Sequence, residues 1–477
     1  MFNYSKNVNL EETSGTLVIG VSENEAREEV KTILSNLEKR KRDLYKFGEV
    51  TAFYPDNGFK VNEILFVGLG NKESYVVKDQ QTIFSKVAKQ VKGTITILAD
   101  TFYKLNENRA ELIERMVETI GLVNYKFNDY KTEQKDSDNS SYTIVSKDDV
   151  SHSIERGVIN FESTNHARDL INEPRNKMNP TLMAKYAENL ANRLGIDYKI
   201  YTKTEVEALG MGAFLAVNQG SKDEAKLIHL KYRGNSESTE LTALVGKGVT
   251  YDSGGYSIKP KDGMPGMKGD MGGSASVFGA FEAIVRKELP VNVDLIVAAT
   301  ENLISNEAVV PDDVVTTMSG KTIEILNTDA EGRLTLVDAV TFANKNGATK
   351  IIDVATLTGG VIVALGHELT GVMTNDDAFL NEFKIATEQL NEPVWQLPIT
   401  DHFKERVRKS NVADFNNSPG RDGHAAFAGT LIGEFVGSTP WIHLDIAGTS
   451  NRKSDYLLGP AGGTGVMVRS ICRLFEK

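Results

Sequence analysis

Two stretches of this chain place acids and bases at spacings suited to metal chemistry. Asn327-Thr328-Asp329-Ala330-Glu331-Gly332-Arg333-Leu334 carries two carboxylates and a guanidinium on alternate residues, within a run of small side chains. Upstream, Gly246-Lys247-Gly248-Val249-Thr250-Tyr251-Asp252-Ser253-Gly254-Gly255 is followed by Ser257-Ile258-Lys259-Pro260 and by Met267-Lys268-Gly269-Asp270-Met271-Gly272-Gly273. Asp252, Asp270, Asp329 and Glu331 are thus joined by Lys247, Lys259 and Arg333. Gathered carboxylates repel unless a cation compensates them, and a divalent metal does so most directly. Two-metal hydrolysis needs several carboxylates, at least one of them shared, because the ions sit roughly 3.5 to 4 Å apart. Glycines beside the acids let a metal approach closely, and in an extended conformation Asp329 and Glu331 would share one face. Lys247, in a loop between two glycines, could donate a lone pair to a metal if neutral. Lys259 and Arg333, if charged, could stabilise an oxyanion or hold an anion beside the cations.

Plainer roles compete for several of these residues. A lone acid in a Gly/Ser loop is ordinarily a turn former or a cap, and Met267 and Met271 read by default as packing residues. Glu301 and Asn302, directly after an apolar strand, suit either a supporting role behind the ligands or a cap. Asp312 and Asp313 read as solvated, and Asp338 and Asp353 as ion-pair partners in or below a sheet. The seven histidines, at 152, 166, 229, 367, 402, 424 and 443, have no ligand spacing, and no His-Glu-x-x-His occurs. His443 is read as a packed structural residue. Gly246-Lys247-Gly248 lacks the spacing of a phosphate-cradling loop, and Gly462-Gly463-Thr464-Gly465 lacks a ribose-reading acid in a βαβ unit.

The elements that must position these residues alternate in period. Leu17–Val21 reads as a buried strand, and Ser22 can cap a helix from Ala26 to about Leu37. Strand Ile64–Leu69, a helix near residues 79 to 92, strand Thr94–Leu98 and a helix from Glu107 to Val123 follow, which argues for a mainly parallel sheet covered by helices. The polar run from Asn128 to Ser141 reads as an exposed loop, and Tyr142–Val145 as a last strand. Residues 150 to 172 read as a helix, and Pro180 suits the first turn of the next. Strands are expected at Asp197–Tyr201, Lys226–Tyr232, Leu241–Gly246, Val293–Thr300, Ile323–Leu326 and Lys350–Ala355, with a helix from Thr335 to Asn344 burying Leu336, Ala339, Val340 and Ala343. Asp329 and Glu331 would fall between a strand and that helix, where ligands of open parallel sheets gather. The fold expected is α/β with two domains, each a mainly parallel or mixed sheet covered by helices. The divisions are 1–150, a linking helix 151–172, and a larger domain 173–477 carrying the site at its sheet edge.

Size and charge bound the function. The 477 residues exceed what one core supports, since cores rarely grow past about 250 to 300 residues. A formal charge of -11 without a long basic stripe makes nucleic acid an unfavoured principal partner. The single cysteine, Cys472, rules out an intrachain disulfide and a four-cysteine zinc site. The start lacks the apolar run of a secretion signal, and no run of about eighteen uncharged apolar residues would cross a membrane. Cytoplasmic residence is the expectation.

The motifs themselves resemble those of a known family. NTDAEGRLTL from Asn327 is similar to the signature of the leucyl (cytosol) aminopeptidases, peptidase family M17, and GKGVTYDSGG, SIKP and MKGDMGG resemble their other metal-site segments. The likeness runs over about residues 165 to 477, while the amino-terminal third resembles the smaller family domain in layout only. The resemblance implies two divalent cations, usually zinc, with manganese, magnesium or cobalt able to enter one site. Lys247, Asp252, Asp270 and Glu331 would hold the tight ion; Asp252, Asp329 through side chain and carbonyl, and Glu331 would hold the exchangeable one. Lys259 would polarise the substrate carbonyl, and Arg333 would bind a bicarbonate acting as general base. Met267, Asn327 and the Thr356-Leu357-Thr358-Gly359-Gly360 segment would line an apolar pocket, with Thr356, Leu357 and Gly359 in contact with the first side chain. The activity implied is release of amino-terminal residues, leucine and other apolar ones foremost, from short peptides and amides by a metal-activated hydroxide. Self-association into a hexamer is implied too.

Tyr251, Tyr256 and Arg421-Asp422-Gly423-His424 depart from common family forms, which put Phe, a small aliphatic residue and a Gly/Ala-rich segment there. Two alternatives stand beside this reading. Some bacterial relatives bind DNA in a regulatory role, and another two-metal amidohydrolase or phosphoesterase would use similar ligands.

Overall fold

The computed structural model describes residues 1–9, 12–22, 43–55, 60–104, 108–133 and 140–476. The helix expected from Ala26 to Leu37 lies outside them. The chain separates into two compact units, Met1–Glu162 with Ser454–Pro460, and Ser163–Lys453 with Ala461–Lys477. Among the described residues no helix is long and apolar enough to cross a membrane.

The first unit is built on six strands: β1 (Phe2–Ser5), β2 (Gly15–Val21), β3 (Val50–Phe53), β4 (Val61–Gly68), β5 (Thr94–Leu98) and β6 (Ser141–Val145). Their order is β1-β6-β5-β2-β4-β3, parallel throughout except for β3 on β4. Side chains of β2 alternate between two cores, Val18 on one face and Leu17, Ile19 and Val21 on the other. Helices Val77–Gln90 and Arg109–Val123 bury Phe84, Val87, Met116 and Ile120 in the first of these cores. The second begins where Asn108 accepts hydrogen bonds from the amides of Ala110 and Glu111 and so caps the helix.

The helix Ser151–Asn172 carries the chain into the second unit, and Asn179 caps the next helix, Pro180–Leu194, with its proline in the first turn. The strands that follow are β7 (Asp197–Tyr201), β8 (Lys226–Arg233), β9 (Thr242–Asp252), β10 (Asn292–Asn302), β11 (Val314–Thr316), β12 (Thr322–Glu324), β13 (Lys350–Ala355), β14 (Thr370–Thr374), β15 (Val394–Gln396), β16 (Phe415–Asn416) and β17 (Trp441–Asp445). Eight form one mixed sheet in the order β15-β14-β17-β13-β9-β10-β8-β7, and its centre, β17-β13-β9-β10, is parallel. Strands β11, β12 and β16 make a separate small sheet.

Helices Gly272–Arg286 and Glu331–Lys345 cover opposite faces of the central strands. Ala243 and Val245 of β9 share a core with Leu336 and Val340, while a Cβ on Gly246 would meet Ser274 Cα at 2.6 Å on the other side. Leu336, Ala339, Val340 and Ala343 are buried, as the periodicity of the segment predicts.

Three local expectations are corrected. Strand β9 does not stop at Gly246, where its pairing with β13 ends, but runs to Asp252 because β10 continues to pair with it that far. Lys247 and Asp252 therefore stand on a buried interior strand, where glycine-rich sequence suggested loop. The helix expected from Thr335 begins at Glu331, so Asp329 and Glu331 do not alternate along a strand; one ends a turn and the other starts a helix. Asp338 does not sit in a close ion pair. Its carboxylate accepts the backbone amides of Phe214 at 2.9 Å and Met318 at 2.8 Å, and burial pushes its pKa up to about 7.

Candidate metal centre

Four parallel strands deliver polar residues to one edge. Strand β9 ends in Asp252, β10 in Glu301 and Asn302, β13 leads into Thr356, and β17 ends in Asp445. These carboxyl ends are where open α/β sheets bind ligands. The turn after β9 and the start of the helix Glu331–Lys345 close over them.

Oxygens of Asp252, Asp329 and Glu331 lie within 4.8 Å of one another, a grouping that could hold a metal ion. Asp252 is fixed from behind: its Oδ1 accepts Asn302 Nδ2 at 2.7 Å and the Gly254 amide at 2.8 Å, and its Oδ2 lies 2.6 Å from Lys259 Nζ. Lys259 also pairs with Asp329. Gly254 has φ of 85°, and a Cβ there would stand 2.8 Å from Asp329 Oδ1, so both its backbone and its bareness serve the approach of the two acids.

Lys247 and Asp270 complete the group. Lys247 Nζ is 2.8 Å from both Asp270 oxygens, 2.9 Å from Glu331 Oε1, and donates to the Thr356 carbonyl at 3.0 Å. A Cβ on Gly332 would meet Lys247 Cε at 2.6 Å, so the glycine inside the motif makes room for the lysine. Thr356 Oγ1 donates to Asp270 Oδ1 at 2.8 Å. Glu331 Oε2 is buried without a hydrogen-bond partner.

Burial opposes charge on every member of this group, and the partners decide the outcome. For Lys247 burial is outweighed by Asp270, Glu331 and Asp252, so its pKa is raised; Lys259 is raised likewise, mainly by Asp252 and Glu331. Burial and Glu331 push Asp252 up to about 6, against the pull of the two lysines. Burial also raises Asp270, although Lys247 pulls the other way. Four carboxylates stand against two ammonium groups, so full ionisation leaves two negative charges in excess in a largely buried group. Buried charge of that kind is held only with compensation, and the all-oxygen acids with one orphaned Glu331 oxygen fit divalent cations of the magnesium, manganese or zinc kind.

The remaining expected site residues are spread around this group. Arg333 is fully buried, donates Nη1 to the Asn417 carbonyl at 2.6 Å, and has Nη2 3.2 Å from His424 Nε2. Asn327 accepts the Asp329 amide at 2.9 Å and shapes the turn that presents that acid. Met267 is half-buried in a single helical turn running into Asp270, Leu357 is half-buried, and Gly359 is exposed at the start of the helix Gly359–Leu365.

Three supporting residues were ambiguous or unread in sequence. Asn302, readable there as a cap, orients Asp252 and also donates to the Thr328 carbonyl at 3.0 Å. Asp445 accepts the Leu357 amide at 3.1 Å and Thr358 Oγ1 at 2.6 Å, tying down the segment after β13. Asn417 accepts the amides of Leu326 and Asn327 and donates to the Asn327 carbonyl at 2.7 Å. For the first two a signal existed: a polar residue at the carboxyl end of a buried apolar strand. Asn417 sits in a polar turn and gave none. His443 is structural, with Nδ1 2.7 Å from Asp353, which also accepts Trp441 Nε1 at 2.6 Å.

Comparison with known proteins agrees with this arrangement. Residues 165–472 match the family model described as the cytosol aminopeptidase family, catalytic domain, and residues 19–134 match that family's N-terminal domain. The solved structure of the bottromycin maturation enzyme BotP is similar at 29% identity with a TM-score of 0.87, covering 96% of this chain and 98% of that one. Its complex with Mn is similar at 28% identity and a TM-score of 0.86, covering 98% and 99%. With both of its units matched and its acidic cluster at the carboxyl edge of the second sheet, this chain belongs to the cytosol aminopeptidase family, a group with a metal-hydrolase fold.

Proposed function

We propose that the chain is a two-metal aminopeptidase that removes amino-terminal residues, leucine and other apolar ones preferentially, from short peptides and amides. The observation that carries this reading is the convergence of Asp252, Asp329 and Glu331 around one point, with Lys247 and Lys259 in direct contact with them and Asp270 joined through Lys247. Lys247, Asp252, Asp270 and Glu331 would hold one ion, and Asp252, Asp329 and Glu331 the other. When bound, the ions supply Lewis acidity toward a substrate carbonyl and acidify a water.

The chain's own groups do the rest. Lys259 is the charged donor placed to stabilise negative charge growing on the scissile carbonyl oxygen. A substrate's neutral amino group would also find a ligand position on a bound ion, which would confine recognition to a free amino terminus. Met267, Asn327, Thr356, Leu357 and Gly359 would receive the first side chain; an apolar pocket discriminates by only about 1 to 3 kcal/mol per methylene, so several apolar residues should be accepted. Arg333 reads as the anion-holding residue. Two of its nitrogens each give one hydrogen bond within the protein, and Nε is buried without a partner. The division into domains 1–150 and 173–477 joined by 151–172, assembly into a hexamer and cytoplasmic residence belong to the same reading.

The test is turnover of amino-acid amides, dipeptides and a phosphate ester by chelator-treated protein reconstituted separately with zinc, manganese and cobalt. Metal-dependent release of leucine from its amide is expected. Phosphate-ester turnover without amide turnover would replace the reading with a phosphoesterase.

A further inference from the structure

The lysine read as the donor to the scissile carbonyl stands at the end of a closed loop. The Lys259 amide donates to the Ser253 carbonyl at 3.0 Å, so the residues between them return on themselves. Gly254 and Gly255 make the bend, with φ of 85° and 61°. From this loop the Lys259 side chain reaches to Asp252 and Asp329. Asp329 belongs to another segment, 70 positions further along the chain, so the loop and the turn that carries Asp329 must be held together.

That connection rests on one residue of the turn. Thr328 is buried, and its Oγ1 accepts the Ser257 amide at 2.7 Å and donates to the Gly254 carbonyl at 2.6 Å. Ser257 Oγ reciprocates by accepting the Thr328 amide at 3.1 Å. A Cβ on Gly255 would stand 3.0 Å from Thr328 Oγ1, so the loop lies directly against the hydroxyl. Among the described residues, every hydrogen bond between loop 254–259 and turn 327–330 runs through Thr328, apart from the Lys259–Asp329 pair itself. The Thr328 carbonyl also accepts Asn302 Nδ2 at 3.0 Å, the same nitrogen that donates to Asp252 at 2.7 Å.

We propose that Thr328 is a positioning residue for Lys259: its hydroxyl fixes the loop that carries the lysine to the turn that carries Asp329, and so sets where the ammonium stands relative to that acid and to a substrate. The inference rests on the reading of Lys259 as the donor to the scissile carbonyl. Thr328 acts through Lys259 and not on the substrate. The hydroxyl is the essential part. Valine has the same shape but leaves the Ser257 amide and the Gly254 carbonyl without that partner, whereas serine keeps both bonds.

Two readouts on wild type, Thr328→Val and Thr328→Ser test it. The first needs no turnover: acetylation of Lys259 by an N-hydroxysuccinimide ester in chelator-treated protein, followed by peptide mass spectrometry and normalised to exposed lysines. Thr328→Val should label faster at Lys259 by about threefold or more, as a locally untethered group does, and Thr328→Ser as wild type does. The second is leucine-amide hydrolysis at matched metal content. Thr328→Val should lower kcat by about tenfold or more with little change in KM, as expected when a reacting group is misplaced, and Thr328→Ser should restore it. In a Lys259→Gln background the valine substitution should cost less than about twofold, because residues acting through one group are not additive. Labelling and kcat in Thr328→Val equal to wild type would overturn the proposal, as would a loss that persists undiminished in the Lys259→Gln background. Should Thr328→Val not fold, Ser257→Ala, which removes the acceptor for the Thr328 amide, carries the same comparisons. Wild-type protein that leaves leucine amide intact would count against the functional reading alone, since the labelling still reports on the tether.

Discussion

Glu331 illustrates how much a single side chain is asked to do. One oxygen is ion-paired to Lys247 and the other is buried with no hydrogen-bond partner, so the second oxygen is left for a metal ion. Glu331→Gln keeps the volume and removes the charge. Amide turnover should fall by more than about 100-fold, since even residues behind the ligands are worth roughly 10 to 100-fold. Asn302→Ala, which loses the donor at 2.7 Å from Asp252, should weaken metal affinity by about 10 to 100-fold in a metal titration. Lys259→Gln should lower kcat by roughly 100 to 1,000-fold with little change in metal content, as expected for loss of one oxyanion donor. At this scale the sequence was informative because the acids and lysines stand in compact motifs. Asn417 was not legible, since its partners, Asn327 and Arg333, are about ninety positions away.

At the scale of elements, the glycine-rich run from Gly246 hid a strand. A glycine here serves packing: a Cβ at 246 would press on the Ser274 backbone at 2.6 Å. Gly246→Ala should destabilise the protein by about 1 to 3 kcal/mol, read by urea denaturation. A second element prediction concerns the helices Ser151–Asn172 and Gly272–Arg286. His166 Nδ1 lies 2.9 Å from Glu282, which raises the histidine's pKa above its ordinary 6.5, chiefly through that hydrogen bond against an opposing burial effect. Because the folded value exceeds the unfolded one, the contribution is full below pH 6.5 and is lost as pH rises through the folded value. His166→Gln should therefore cost stability at pH 6 and little at pH 8.5, compared by denaturation midpoints. An equal cost at both would remove the charge from the explanation. Helix starts were the least legible feature: Glu331 begins its helix four residues early, and Ala330 before it offers no capping side chain to mark the start.

For the molecule as a whole, alternation of strand and helix was enough to expect two sheets, and the strand cores of Leu17–Val21 and Val293–Thr300 fell where expected. What the sequence could not express was order: that β13, late in the chain, lies beside β9 and so brings Thr356 to Lys247. That neighbourhood assembles acids from three separate segments into one cluster short of positive charge. The most direct measurement is equilibrium dialysis of chelator-stripped protein against Mn2+, comparing wild type with Asp252→Asn and Glu331→Gln. The account predicts two ions bound per wild-type chain, a loss in both variants, and leucine-amide hydrolysis that rises with occupancy. Stripped protein that hydrolyses the amide at the loaded rate, or variants that bind Mn2+ as wild type does, would contradict it.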